Sequence, residues 1–206
     1  MTDAKSEKNV EEQMKDEGKK DQWWAAFPEP KASVPEITGD DLYEMFDEMD
    51  IKPEPRSFLL VDVRRTDWEF DEERKDVAHG GVRYQSLTRG TQGGTIRTSI
   101  NLPAQSFYQS RKTLVDLCDR AEIKTVIFYC ATCHAGASSG RGPRCANWMQ
   151  DYINDVSKFG RRSALKVKIL KGGIKGWVKE YEGSMMDGFQ EDYWKQFKDQ
   201  AKVESK

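Results

Sequence analysis

Four short apolar runs, separated by segments patterned as helices, constrain the fold more than any other feature of this chain. "SFLLVDVR" (57–64) is apolar, β-branched and preceded by a proline-rich turn, the pattern of a buried strand. "TIRTSINLP" (95–103) contains a second short strand, closed by Pro103. "TVIFYC" (125–130) is apolar throughout, as a strand covered on both faces is. "ALKVKIL" (164–170) is the fourth.

Between these runs the periodicity changes. "TGDDLYEMFDEM" (38–49) places Leu42, Met45, Phe46 and Met49 at helical spacing behind Thr38 or Asp40 as cap. "QSFYQSRKTLVDLCDRAEI" (105–123) predicts a helix with Phe107, Leu114, Leu117 and Cys118 inward. "PRCANWMQDYINDV" (143–156) follows, with Pro143 suited to a first turn, and "KGGIKGWVKEY" (171–181) turns into another helix. Such alternation predicts an α/β domain with a mainly parallel sheet of about five short strands flanked by helices. Ligands of such sheets bind at the carboxyl ends of the strands.

The flanks differ in character. Residues 1 to about 22 are charged and poor in apolar anchors, the composition of a disordered tail. Trp23 and Trp24 interrupt it, as a packed pair or a docking element, and a proline-punctuated linker runs to about residue 34. The domain itself is expected over 35–185, with a surface insertion at 70–92 that offers a lid or a protein-partner surface. An aromatic helical extension follows at 186–206, carrying Phe189, Tyr193, Trp194 and Phe197. Basic and acidic residues balance, 33 against 35, so no field favours nucleic acid or an anionic membrane. No apolar run approaches a membrane span, and the N-terminus lacks the apolar core of a secretory signal. The expectation is a cytoplasmic or nuclear protein with reduced cysteines.

The third strand ends in a loop rich in chemistry, "CATCHAGASSGRGPRC". It holds Cys130, Cys133 and His134, then small residues, then Arg141 at the start of a helix. Inward loop amides and a helix N-terminus stabilise a thiolate and bind a tetrahedral oxyanion at the same spot. An arginine closing the loop grips that oxyanion and stabilises transition-state charge. Ser138, Ser139, Gly140, Arg141 and Gly142 are the candidate oxyanion-binding residues, and Cys130 and Cys133 the candidate thiols. Cys-x-x-Cys-His also matches haem attachment, but that chemistry belongs to exported proteins. Zinc would need Cys130, Cys133, His134 and Cys145 to close a tetrahedron from opposite sides of the loop. Neither a metal nor a cofactor is expected. Cys118 and Cys145 read as core residues, His79 as solvated, Arg144 as a helix-surface arginine, and Asp62 with Arg64 as structural.

Four segments in this order resemble the rhodanese-like domain: "LLVDVRRTDWE", "GGTIRTSINLP", "VIFYC" with its small-residue loop, and "ILKGGIKGW". Within that superfamily, "SSGRGPRCANW" is similar to the branch of the M-phase inducer phosphatases and the eukaryotic arsenate reductases, and of fungal rhodanese-like proteins. The resemblance implies cysteine-dependent phosphatase (hydrolase) or arsenate reductase chemistry on a small oxyanion or phosphorylated substrate. Glutathione or another thiol would serve as co-substrate in the reductase. Sulfur transfer ranks third, because sulfurtransferases of the family use a shorter loop.

The loop departs from that branch, where five residues separate cysteine from arginine. Ten separate Cys130 from Arg141, and seven separate Cys133 from it. Anchored on the strand, Cys130 is the nucleophile in a lengthened loop, with Cys133 as an alternative nucleophile or a resolving thiol. Anchored on Arg141, the nucleophile slot holds Ala135, and the chain is an inactive binding module. That second alignment needs the strand to run on to His134.

Overall fold

The computed structural model describes residues 22–52, 55–64, 93–134, 140–161 and 163–203, with side chains described as far as Phe197. The charged tail as far as residue 21, the 70–92 insertion with His79, and the loop residues Ala135, Ser138 and Ser139 lie outside them. The chain divides into two compact units, Met1–Pro30 and Lys31–Lys206. In the first, a turn forms where Ala25 N donates to Gln22 O and Phe27 N to Trp24 O. There Trp23 meets Trp24 edge-on, with ring centroids 5.2 Å apart.

In the second unit, β1 (Glu36–Ile37), β2 (Phe58–Asp62), β4 (Ile100–Asn101), β5 (Thr125–Tyr129) and β6 (Lys166–Leu170) form one parallel sheet, in the order β1-β6-β5-β2-β4. The helices are α1 (Gly39–Ile51), α2 (Ala104–Arg120), α3 (Arg141–Lys158), α4 (Gly173–Tyr181) and α5 (Glu191–Val203). Phe46 of α1 meets both Phe58 and Trp177 of α4 edge-on, while Phe107 of α2 meets Phe128 of β5 and Tyr108 meets Trp148 of α3. The sheet is therefore sandwiched, as the α/β reading predicts, and Val126, Ile127, Phe128 and Tyr129 of its central strand are fully buried. No helix among the described residues is long and apolar enough to cross a membrane.

Local sequence explains the boundaries. Thr38 caps α1 in a capping box: its hydroxyl accepts from Asp41 N, and the Asp41 carboxylate accepts from Thr38 N. The "TIRTSINLP" segment holds two strands rather than one. Thr95–Ile96 (β3) pairs antiparallel with Met186–Asp187 (β7), and only Ile100–Asn101 joins the main sheet. A turn with Thr98 at φ +63° separates them. Leu117 is exposed, and Val115 takes the inner place in α2. At the helical repeat, Leu117 falls about 110° from the middle of the arc formed by Ala104, Phe107, Leu114, Val115 and Cys118. The edge strand β1 lies in the proline-punctuated stretch, where two residues are too few for a periodic signal.

The C-terminal aromatics cluster around α5. Trp194 is buried and donates from Nε1 to Gly93 O at 2.7 Å, with Tyr193 and Phe197 against it. Phe189 lies ahead of the helix.

Candidate functional site

Register places the polar residues of β2, β4 and β5 together at the carboxyl edge of the sheet. Asp62 is opposite Tyr129 on one side and Asn101 on the other. Asp62 is fully buried and paired with Arg64, whose Nη2 lies 2.6 Å from Oδ2 and also 2.6 Å from Gly94 O. Asn101 Nδ2 donates to the carbonyls of Asp62 and Arg64. The Tyr129 hydroxyl meets Thr95 Oγ1 and Ser99 Oγ and accepts from Ile96 N, and burial pushes its pKa up. These groups fix the strand ends and satisfy one another, which is the structural role expected of Asp62 and Arg64.

β5 ends at Tyr129, and the chain bends at Ala131 and Thr132. The bend is held from the neighbouring strand's exit. Ile174 N donates to Cys130 O (3.0 Å), Lys175 N to Ala131 O (3.0 Å) and Gly172 N to Cys133 O (2.8 Å). Amides at the start of a helix have no partner within it, so α4 offers donors and the bend supplies acceptors. Gly173 sits at φ +58°, and a Cβ there would come within 2.5 Å of Cys130 O.

The bend turns the two thiols toward each other. Cys130 Sγ is 3.2 Å from Cys133 Sγ, and Cys130 N donates to Cys133 Sγ at 3.1 Å. Both are free thiols; Cys130 is 4% exposed and Cys133 fully buried. On the far side stands α3, with Gly140 as its N-cap and Arg141 as its first residue. Gly142 has no space for a side chain: a Cβ there would lie 2.5 Å from Cys133 Sγ.

Four groups favour charge on Cys130, the smallest contribution coming from the Thr132 backbone. The Cys133 thiol donates to it, the Gly142 amide points at it, and the Arg141 guanidinium acts through space; against burial, they hold its pKa down to about 6. Cys133 moves up, because it donates to Cys130 and is buried beside that charge, with Asp62 adding to the effect. Cys145, one turn into α3, is buried and pushed well up. The arrangement is one thiol favoured as its thiolate, a second thiol beside it, and a helix N-terminus whose first residue, Arg141, favours that charge through space.

The sequence matches the model of the family described as rhodanese-like domain over residues 38–180. This chain belongs to the rhodanese-like domain family. No curated protein matches it in sequence. Among solved structures, the As-Sb reductase from Leishmania major is similar with a TM-score of 0.51 at 19% identity, covering 74% of this chain and 84% of that one. Ygr203w, a yeast protein tyrosine phosphatase of the rhodanese family, is similar with a TM-score of 0.51 at 21% identity, covering 79% of this chain and 98% of that one. At such identities the likeness is one of fold.

Of the candidate site residues in this rhodanese-like domain, Cys130, Cys133, Gly140, Arg141 and Gly142 come together. His134 is exposed on the loop. Arg144 is not on the surface: it is buried, with its guanidinium carbon 5.7 Å from the Trp148 ring centroid, because the first turns of α3 are buried on all sides. Gly172, Gly173, Ile174 and Lys175 hold the cysteine bend and were not foreseen as part of the site. Their signal was two glycines one residue beyond the end of the strand that neighbours β5, where a helix N-terminus must approach another backbone closely.

Proposed function

We propose that this protein carries out cysteine-dependent oxyanion chemistry, with Cys130 as nucleophile and Arg141 and the start of α3 as the oxyanion site. The observation that carries this reading is Cys130 at the end of the central strand, its thiolate favoured by Cys133, the Gly142 amide and Arg141. The end of β5 at Tyr129 supports the alignment that starts the loop at Cys130 over the one that places Ala135 in the nucleophile slot. The thiolate attacks phosphorus or arsenic; Arg141 and the amides of Gly142 and of Ser138, Ser139 and Gly140 hold the oxygens. Water then releases phosphate, or a thiol such as glutathione releases arsenite. The two structural neighbours, a reductase and a phosphatase, support this pair of activities.

The test is iodoacetamide labelling and aryl phosphate turnover of the full chain near neutral pH, with arsenate as competitor. Cys130 is expected to label first and to be protected by arsenate. Turnover is expected to vanish in Cys130→Ser and to fall by about 10²–10³ in kcat/KM in Arg141→Lys, which keeps the charge but loses the two-pronged grip. Turnover lost only in Cys133→Ser would move the nucleophile to Cys133. Slow labelling without protection in all variants would leave a binding module.

A further inference from the structure

We infer that Cys133 is a second catalytic thiol, whose sulfur attacks Cys130 Sγ once Cys130 carries the substrate, so that the site reduces its oxyanion by two electrons. The inference rests on the reading of Cys130 as the nucleophile.

The geometry is that of a pair poised to join. The sulfurs are 3.2 Å apart, and a disulfide needs them at about 2.05 Å, a closure of about one ångström. Cys133 is walled in: Gly142 leaves no room on its side, and Cys130 N donates to its sulfur. The carbonyls of Cys130, Ala131 and Cys133 are all fixed by amides at the start of α4, so the turn that presents one sulfur to the other is pinned at three points. A thiol needed only to fill space would not have to face the nucleophile. A thiol needed only as a hydrogen-bond donor would be served as well by serine.

The chemistry then selects among oxyanions. On a Cys130–phosphate adduct, attack at Cys130 sulfur would expel phosphorus with an electron pair, an inaccessible phosphorus(III) leaving group. On a Cys130–arsenate adduct, the same attack expels arsenic(III), which is stable. In the first step Cys130 thiolate displaces water from arsenate and forms the S–As bond. In the second, Cys133 Sγ forms the S–S bond, the S–As bond breaks with its electron pair going to arsenic, and the Cys133 proton passes to an arsenic oxygen. The sum is arsenic acid plus two thiols giving arsenous acid, a disulfide and water, with the thiols oxidised and arsenic reduced by two electrons. Cys133 can lose its proton at that stage because the charge that raised its pKa, the Cys130 thiolate, has been consumed by the first step. A low-molecular-weight thiol then reduces the disulfide by exchange.

The test is a single turnover: fully reduced full-length protein, freed of reductant without air, mixed with arsenate and quenched in acid with a thiol-blocking maleimide. One arsenite per chain and loss of two thiols are expected. Trypsin cuts after Lys124 and Arg141, so both cysteines fall in one peptide, which should be lighter by two hydrogens and carry no maleimide. This readout needs no variant. Cys133→Ser and Cys133→Ala should release no arsenite until glutathione is added. If wild type also releases arsenite only with glutathione, while Cys130 is labelled fast and protected by arsenate, the inference is overturned and the reading of Cys130 stands. If Cys130 is neither fast nor protected, both fall together.

Discussion

Gly142 is the residue on which the site's geometry turns most closely. It lies between the α3 N-terminus and the two sulfurs, and its missing side chain is what lets the Cys133 thiol reach Cys130. In Gly142→Ala the new Cβ would meet a sulfur at 2.5 Å, so Cys133 must move. The cost is expected to be about 1–3 kcal/mol in urea unfolding, as for other overpacked sites. A second readout isolates the chemistry. The rate of iodoacetamide labelling of Cys130 in wild type should rise with a midpoint near about 6, where its thiolate forms. In Gly142→Ala or Cys133→Ala, loss or displacement of the Cys133 donor should move that midpoint up by about one unit or more. An unmoved midpoint would mean that Cys133 contributes packing alone. Little of this was legible beforehand. Cys130 stood out because an apolar strand ends on it, whereas Cys133, between Thr132 and His134, had no apolar neighbours to announce its burial.

Among elements, α4 does the least expected work. It was visible as a helix from Ile174, Trp177 and Val178, yet its N-terminal amides serve the loop after β5 rather than a ligand. Gly173→Ala places a Cβ at φ +58° and within 2.5 Å of the Cys130 carbonyl. A loss of about 1–3 kcal/mol is expected, with the Cys130 labelling midpoint displaced upward as the bend shifts. Gly160→Ala is the control: its φ is +85° but open space surrounds it, so it should lose stability without moving the midpoint. The long elements were legible because apolar periodicity persists over many residues, as in β5 and α3. The two-residue strands β1 and β7 were not, and β3 and β4 merged into one expected strand, since a pair of residues has no period and tertiary partners alone make them strands. Leu117 failed for a related reason: a leucine one step from an inward cysteine fits the eye but not the helical angle.

For the molecule as a whole, the thiol pair ties local charge to folding, because three elements must assemble before Cys130 is favoured as an anion. β5 supplies the sulfur, α3 the amide and guanidinium, and α4 the hold on the bend. An unfolded chain has none of these, and its thiols titrate near the ordinary value of 9.0. Between about 6 and 9 the unfolded chain therefore binds one proton more than the native pair, and stability rises with pH, by at most about 1.4 kcal/mol per pH unit. Below about 6 the native Cys130 is protonated too, and the contribution is gone. Above 9 the sign reverses: the unfolded chain has released both protons, while Cys133 in the native pair still holds its own. The advantage of wild type over Cys130→Ser in urea unfolding should thus grow from pH 6 toward pH 9 and level off beyond, because Cys133 is buried in both proteins and its own effect above 9 largely cancels. Subtracting the variant cancels the carboxylates and histidines that both proteins share. A flat difference across that range would mean that folding does not stabilise the Cys130 thiolate, and the nucleophile would then have to be activated only when its oxyanion arrives.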